Sequence, residues 1–69
     1  MPTGGEGRDG REIYLEFVAC GGQIKATAID SVTGIEATIF GPAATPRAVL
    51  ERNAVAKLEY LLKKKANGG

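Results

Sequence analysis

From Glu12 to Cys20 the chain alternates. Ile13, Leu15, Phe17 and Ala19 fall on one side of an extended backbone, and Glu12, Tyr14, Glu16, Val18 and Cys20 on the other. A period of two is that of a β-strand with one buried face. Gly21-Gly22 follows, a dipeptide that accepts positive φ and suits a two-residue hairpin turn. The next stretch, QIKATAID, sets Ile24, Ala26 and Ala28 on one side and Lys25, Thr27 and Ile29 on the other. A two-residue turn puts Cys20 opposite Gln23, hence Phe17 opposite Ala26 and Leu15 opposite Ala28, core against core, with Glu16 facing Thr27. The turn SVTG ends in glycine, and GIEATIF supplies a third strand with Ile35, Ala37 and Ile39 inward. Pairing Asp30 with Ile35 sets Ala28 against Ala37 and Ala26 against Ile39. The faces agree again, and the alanines of the middle strand mark where a helix must lie close.

GPAATP breaks the sheet pattern. Thr45 before Pro46 reads as an N-cap followed by proline in the first helical position, and the helix runs to about Lys65 or Ala66, with Asn67-Gly68 as its stop. At 100° per residue, an arc of about 140° collects Leu50, Ala54, Val55, Leu58, Leu61 and Leu62 as the face for the sheet. A second, narrow apolar stripe of Val49, Ala56 and Tyr60 lies between polar flanks. The predicted fold is α+β: a three-stranded antiparallel β-meander with one C-terminal α-helix packed on one face, in the order β-β-β-α.

The outer sheet face is incompletely polar. Tyr14, Val18, Ile29 and Phe40 stand there among Glu16, Lys25, Thr27, Glu36 and Thr38. Four apolar side chains on so short a sheet can form a patch, and patches of this kind usually mark contacts. With the helix stripe they make the first candidate partner-binding set: Tyr14, Val18, Ile29, Phe40, Val49, Ala56 and Tyr60.

Length sharpens that expectation. A chain of 69 residues holds one domain, and one of this size buries a small share of its surface and leans on a disulfide, a metal or a second subunit. Residues 1–10, MPTGGEGRDG, are rich in glycine and almost without large apolar residues, so they read as a flexible tail; 11–66 form the domain and 67–69 a frayed end. Cys20 is the only cysteine and there is no histidine. An internal disulfide is excluded, and one thiol cannot supply the N/S ligands of a structural zinc site. Oligomerisation is the remaining aid, so the expected partner is a second copy, in a homodimer, or another protein. A lone thiol fits a reducing compartment. With no apolar run long enough to span a membrane and no signal-peptide pattern, the expected setting is soluble and cytoplasmic.

The net charge of +1 is unevenly divided. Arg47, Arg52, Lys57, Lys63, Lys64 and Lys65 outweigh Glu51 and Glu59 in the helix, whereas acids outnumber bases in the rest of the chain. Arg52, Lys57, Lys63 and Lys64, with Tyr60 available for stacking, define an alternative: a weak nucleic-acid binder working through its helix. Against it stand a pI near 7.9 and the acids Glu12, Glu16 and Glu36 on the sheet, which repel phosphates. Lysines at a helix C-terminus also serve the macrodipole and solubility.

Three antiparallel strands leading to RNAVAKLEYLL resemble the C-terminal part of the double-stranded RNA-binding domain over Glu36 to Leu62. That family's leading helix has no counterpart in residues 1–10, and its lysine pair at the start of the last helix falls on Ala48 and Val49. The resemblance therefore implies the fold and not the phosphate clamp. The acidic meander, the GPAA link and the ending KLEYLLKKK also resemble a family of small uncharacterised bacterial proteins, which implies a domain of unknown function and no site residues. Gly68-Gly69 resembles the terminus of ubiquitin-like sulfur carriers, but those end in a strand and tail, not a helix.

Catalysis has little to work with. Without histidine a general base near neutral pH needs a strongly shifted carboxylate, lysine or thiol, and no basic residue lies within four positions of Cys20. GGEG and ACGG lack the lysine and hydroxyl residue of a phosphate loop. The backbone N–H groups at GPAAT could meet an anion, as almost any helix start could. The expectation is a non-enzymatic protein-interaction module with no catalytic residues, no cofactor and no metal.

Overall fold

The computed structural model describes residues 12–66. Within them the chain forms three strands, β1 (Ile13–Cys20), β2 (Gln23–Asp30) and β3 (Glu36–Pro42), then one helix, α1 (Arg47–Ala66). The strands make one antiparallel sheet in the order β1-β2-β3. The expected β-β-β-α fold is observed. The tail and frayed end expected at 1–10 and 67–69 lie outside the described residues.

Both registers follow the parity of the side chains. Phe17 faces Ala26 and Leu15 faces Ala28; Ala28 faces Ala37 and Ala26 faces Ile39. The first turn places Gly21 alone at positive φ, 62°, the first central position of the hairpin, where a type II′ turn requires it. The second turn is tied by Asp30. Its Oδ2 accepts hydrogen bonds from the backbone N–H and the hydroxyl of Thr33, each at 2.8 Å. Gly34, at φ 78°, then returns the chain to β3. Asp30 is fully buried, so the carboxylate serves the turn and not the solvent.

The core consists of Ala26, Ala28 and Ala37 from the sheet and Leu50, Ala54 and Leu58 from the helix. Val55, Leu61 and Leu62 pack on its margin, which gives the helix the apolar face expected from its period. Burying a leucine contributes roughly 1.5–3 kcal/mol, and small residues on the floor let α1 approach closely enough to do so. Gly41 shows how closely. A Cβ built there would lie 2.6 Å from Leu50 Cδ2, so any side chain at this position would have to displace the buried Leu50 methyl where the helix crosses the end of β3. The strand accordingly continues through Gly41 and Pro42, two residues past the break expected from sequence. The helix also begins one position later than expected. The Pro46 carbonyl accepts from Leu50 N at 3.2 Å and from Val49 N at 3.0 Å, which makes Pro46 the N-cap and leaves Thr45 in the turn, its N–H bonded to the Pro42 carbonyl at 2.9 Å.

Candidate protein-interaction surface

The helix does not lie over the middle of the sheet. It packs on β3 and β2, where Ala26, Ala28, Ala37 and Gly41 face it, and leaves Ile13, Leu15 and Phe17 of β1 only half-buried. Ile13 and Leu15 thereby become the floor of an open groove of about 430 Å³, whose wall is the near side of α1: Val55 and Ala56, with Glu51, Arg52 and Glu59 along the rim. At the other end of β1, the Arg47 guanidinium carbon sits 4.8 Å from the centre of the Phe17 ring, a cation–π contact that half-covers the aromatic.

Backbone hydrogen bonding makes the two sheet edges unequal. Ser31 N donates to the Glu12 carbonyl at 2.9 Å, so with the observed register the groups of Tyr14, Glu16, Val18 and Cys20 face β2. Those of Ile13, Leu15, Phe17 and Ala19 therefore point away from the sheet. On β3, Asp30 N donates to the Ile35 carbonyl and Ala43 N to the Gly22 carbonyl, each at 2.9 Å, which leaves Glu36, Thr38 and Phe40 with outward groups. One of these is taken: Lys57 reaches from the helix and donates from Nζ to the Thr38 carbonyl at 2.9 Å. A lysine across an edge is a recognised obstacle to strand pairing. Among the described residues of β1 there is no proline, no inward charge and no covering side chain of that kind.

The residues singled out from sequence are spread over several places. On the outer sheet face the register sets Tyr14 beside Ile29 and sets Val18 and Phe40 on either side of Lys25, with Glu16, Thr27 and Thr38 in the row between. The Thr27 and Thr38 hydroxyls are bonded at 3.1 Å. The expected four-residue patch is thus one apolar pair, Tyr14 with Ile29, and two side chains, Val18 and Phe40, parted from each other by Lys25 and from that pair by a polar row. Tyr14 is 49 % exposed and donates to Glu12 Oε1 at 2.9 Å; that bond and the nearby carboxylate charge hold the phenol above its usual pKa. Of the helix stripe, Val49 is half-buried, Ala56 reaches the β1 groove, and Tyr60 is 61 % exposed. Tyr60 borders a second hollow with Glu59, Leu62 and Lys63.

The four basic residues of the nucleic-acid alternative do not converge either. Arg52 lines the β1 groove, Lys57 is turned to the β3 edge, and at helical spacing Lys63 follows Arg52 while Lys64 follows Lys57. Cys20 is exposed. Among the described residues no cluster of three or more His, Cys, Asp or Glu could hold a metal ion, and no helix is long and apolar enough to cross a membrane.

The groove and edge of β1 were not singled out from sequence, because Ile13, Leu15 and Phe17 read simply as core. A signal was present in side-chain size. Ile13, Leu15 and Phe17 on β1 contrast with Ala26, Ala28, Ala37 and Gly41 among the inward residues of β2 and β3, and a close-packed helix prefers the small ones.

Fold and surface define a small α+β domain, a β-meander with a single off-centre helix. The chain belongs to a family described as a domain of unknown function (DUF6898), whose model matches residues 10–65. No curated protein matches the chain, and no solved structure does.

Proposed function

We propose that this domain is a non-enzymatic protein-interaction module whose working surface is the β1 side, and that it acts as a homodimer or with another protein. One observation carries the reading. The edge whose outward backbone groups are left open among the described residues belongs to the same residues, Ile13, Leu15 and Phe17, whose apolar side chains the helix leaves half-covered. An extended segment laid along β1 would gain main-chain hydrogen bonds and set alternate side chains beside that groove, the mode known as β-augmentation. The absence of histidine supports the non-enzymatic part, and the lone exposed thiol of Cys20 supports a reducing, cytoplasmic setting. Nucleic-acid binding has less support, since its four basic residues face two sides of the helix and Lys57 is engaged at Thr38.

The test is capture from native lysate with the immobilised chain. Ala19→Pro places a ring on an outward N–H of β1, where no intramolecular bond is lost, and Ala56→Glu adds a charge to the groove wall. Both positions are exposed, so the fold should persist. The expected result is a partner held by the wild type and by Val32→Glu, a change in the exposed second turn, and lost with Ala19→Pro and Ala56→Glu. Equal retention by all four proteins would defeat the assignment of this surface.

A further inference from the structure

We infer that the strand that pairs with β1 is β1 of a second copy, antiparallel about a two-fold axis, with Leu15 opposite the partner's Leu15 and Ile13 opposite the partner's Phe17. This rests on the reading of β1 as the working edge and names its occupant.

Parity comes first. Only Ile13, Leu15, Phe17 and Ala19 offer outward groups, so hydrogen-bonded pairs across the seam must join members of that set. Their side chains all lie on the helix side. The partner's apolar residues therefore fall on that same face, and the result is a continuous six-stranded sheet with both helices on one side. A strand of arbitrary sequence carries no such guarantee.

Charge then selects among the registers that this parity allows. Centring the axis on Glu16 places Glu16 directly against the partner's Glu16, and centring it on Tyr14 places Glu12 against the partner's Glu16. Like charges directly opposite are unfavourable. Centring it on Phe17 stacks two phenyl rings that each carry a guanidinium 4.8 Å away, and so brings Arg47 against the partner's Arg47. Centring it on Val18 leaves Ile13 and Leu15 beyond the seam. The register centred on Leu15 avoids all four faults. On the outer face it sets Tyr14 opposite the partner's Glu16 and Glu12 opposite the partner's Val18. On the inner face it brings Phe17 and its Arg47 beside the partner's Ile13, at a groove whose rim carries two acids, Glu51 and Glu59, against one base, Arg52, so the rim that meets Arg47 at each end of the seam is net acidic.

So short a seam falls at the low end of specific interfaces, below ~1,200 Å², and the expected dissociation constant is micromolar. The test joins sedimentation equilibrium to cysteine cross-linking in a Cys20→Ser background. Residues opposite one another in a non-hydrogen-bonded pair have Cα atoms about 4.5 Å apart, within disulfide range. The pair Tyr14→Cys with Glu16→Cys should yield a covalent dimer under oxidised glutathione about tenfold faster than Glu16→Cys with Val18→Cys, the pair that meets in the Phe17-centred register, or than Glu16→Cys alone. All these positions are exposed, so folding is not at stake, and sedimentation of the uncross-linked protein should show a reversible dimer. A monomer at several hundred micromolar, or equal cross-linking of the three variants, overturns self-pairing. In the first case, capture from lysate that is still lost with Ala19→Pro would leave the broader interaction reading standing, so the two failures can be told apart.

Discussion

At the β3 edge Lys57 covers the Thr38 carbonyl and the helix is pressed against Gly41, whereas among the described residues the β1 edge has no such cover, and its Ile13, Leu15 and Phe17 are only partly buried. One helix produces both conditions. An element about 10 Å across covers two strands of a sheet whose strands are about 4.8 Å apart, so a third must stand outside it. The small inward residues of β2 and β3 decide which one. The well-covered side of this domain and its half-covered side are therefore consequences of one displacement.

Truncations on the two sides should differ most. Leu58→Ala empties a fully buried site in the helix-covered half and should cost ~2–5 kcal/mol, enough to unfold much of so small a domain. Leu15→Ala on the half-buried β1 face should cost about half as much. Urea midpoints measure both, and equal losses would mean that β1 is as much a part of the core as β3. Next in size is Gly41→Ala, whose methyl meets Leu50; overpacking of this kind costs ~1–3 kcal/mol. Lys57→Met tests the guard on β3. Stability should fall by about 1 kcal/mol or less, while light scattering should show association beyond that of the wild type, because a second edge has been opened.

The smallest effect concerns Tyr14. Its hydrogen bond to Glu12 and the carboxylate charge raise its pKa above 10.0. The contribution of that bond is complete below about pH 10 and is lost as pH rises through the raised value. Ultraviolet titration of Tyr60→Phe, which leaves one tyrosine, should place the midpoint above 10, and Glu12→Gln should lower it. If β1 pairs with itself, the partner's Glu16 stands beside Tyr14 and the midpoint should climb further with protein concentration.

Much of this is legible in the sequence. Alternation in EIYLEFVAC and QIKATAID, joined by Gly21-Gly22, left a single register that kept Phe17, Leu15, Ala26 and Ala28 on one face, and the helical period selected Leu50, Ala54 and Leu58. Periodicity reports which face of an element is buried. It does not report which neighbours cover that face. The sideways shift of the helix, the reach of Lys57 to Thr38 and the close approach of Leu50 to Gly41 are relations between elements far apart in sequence, and no local pattern encodes them. The outer-face set of Tyr14, Val18, Ile29 and Phe40 shows the converse: one parity class, yet the register divides it with Glu16, Thr27 and Thr38.

The alanine floor bears on when this protein can become itself. Ala26, Ala28 and Ala37 leave the middle of the sheet with small side chains, so its large ones, Leu15, Phe17 and Ile39, gain much of their cover only when α1 lies on it. Among the described residues the helix is also the last of the four elements. A ribosome making this domain would thus release three strands into the cell before the element that holds them, and folding would wait for Leu58 to emerge. During that interval β1, with Ile13, Leu15 and Phe17, is the strand whose apolar side chains wait longest for cover.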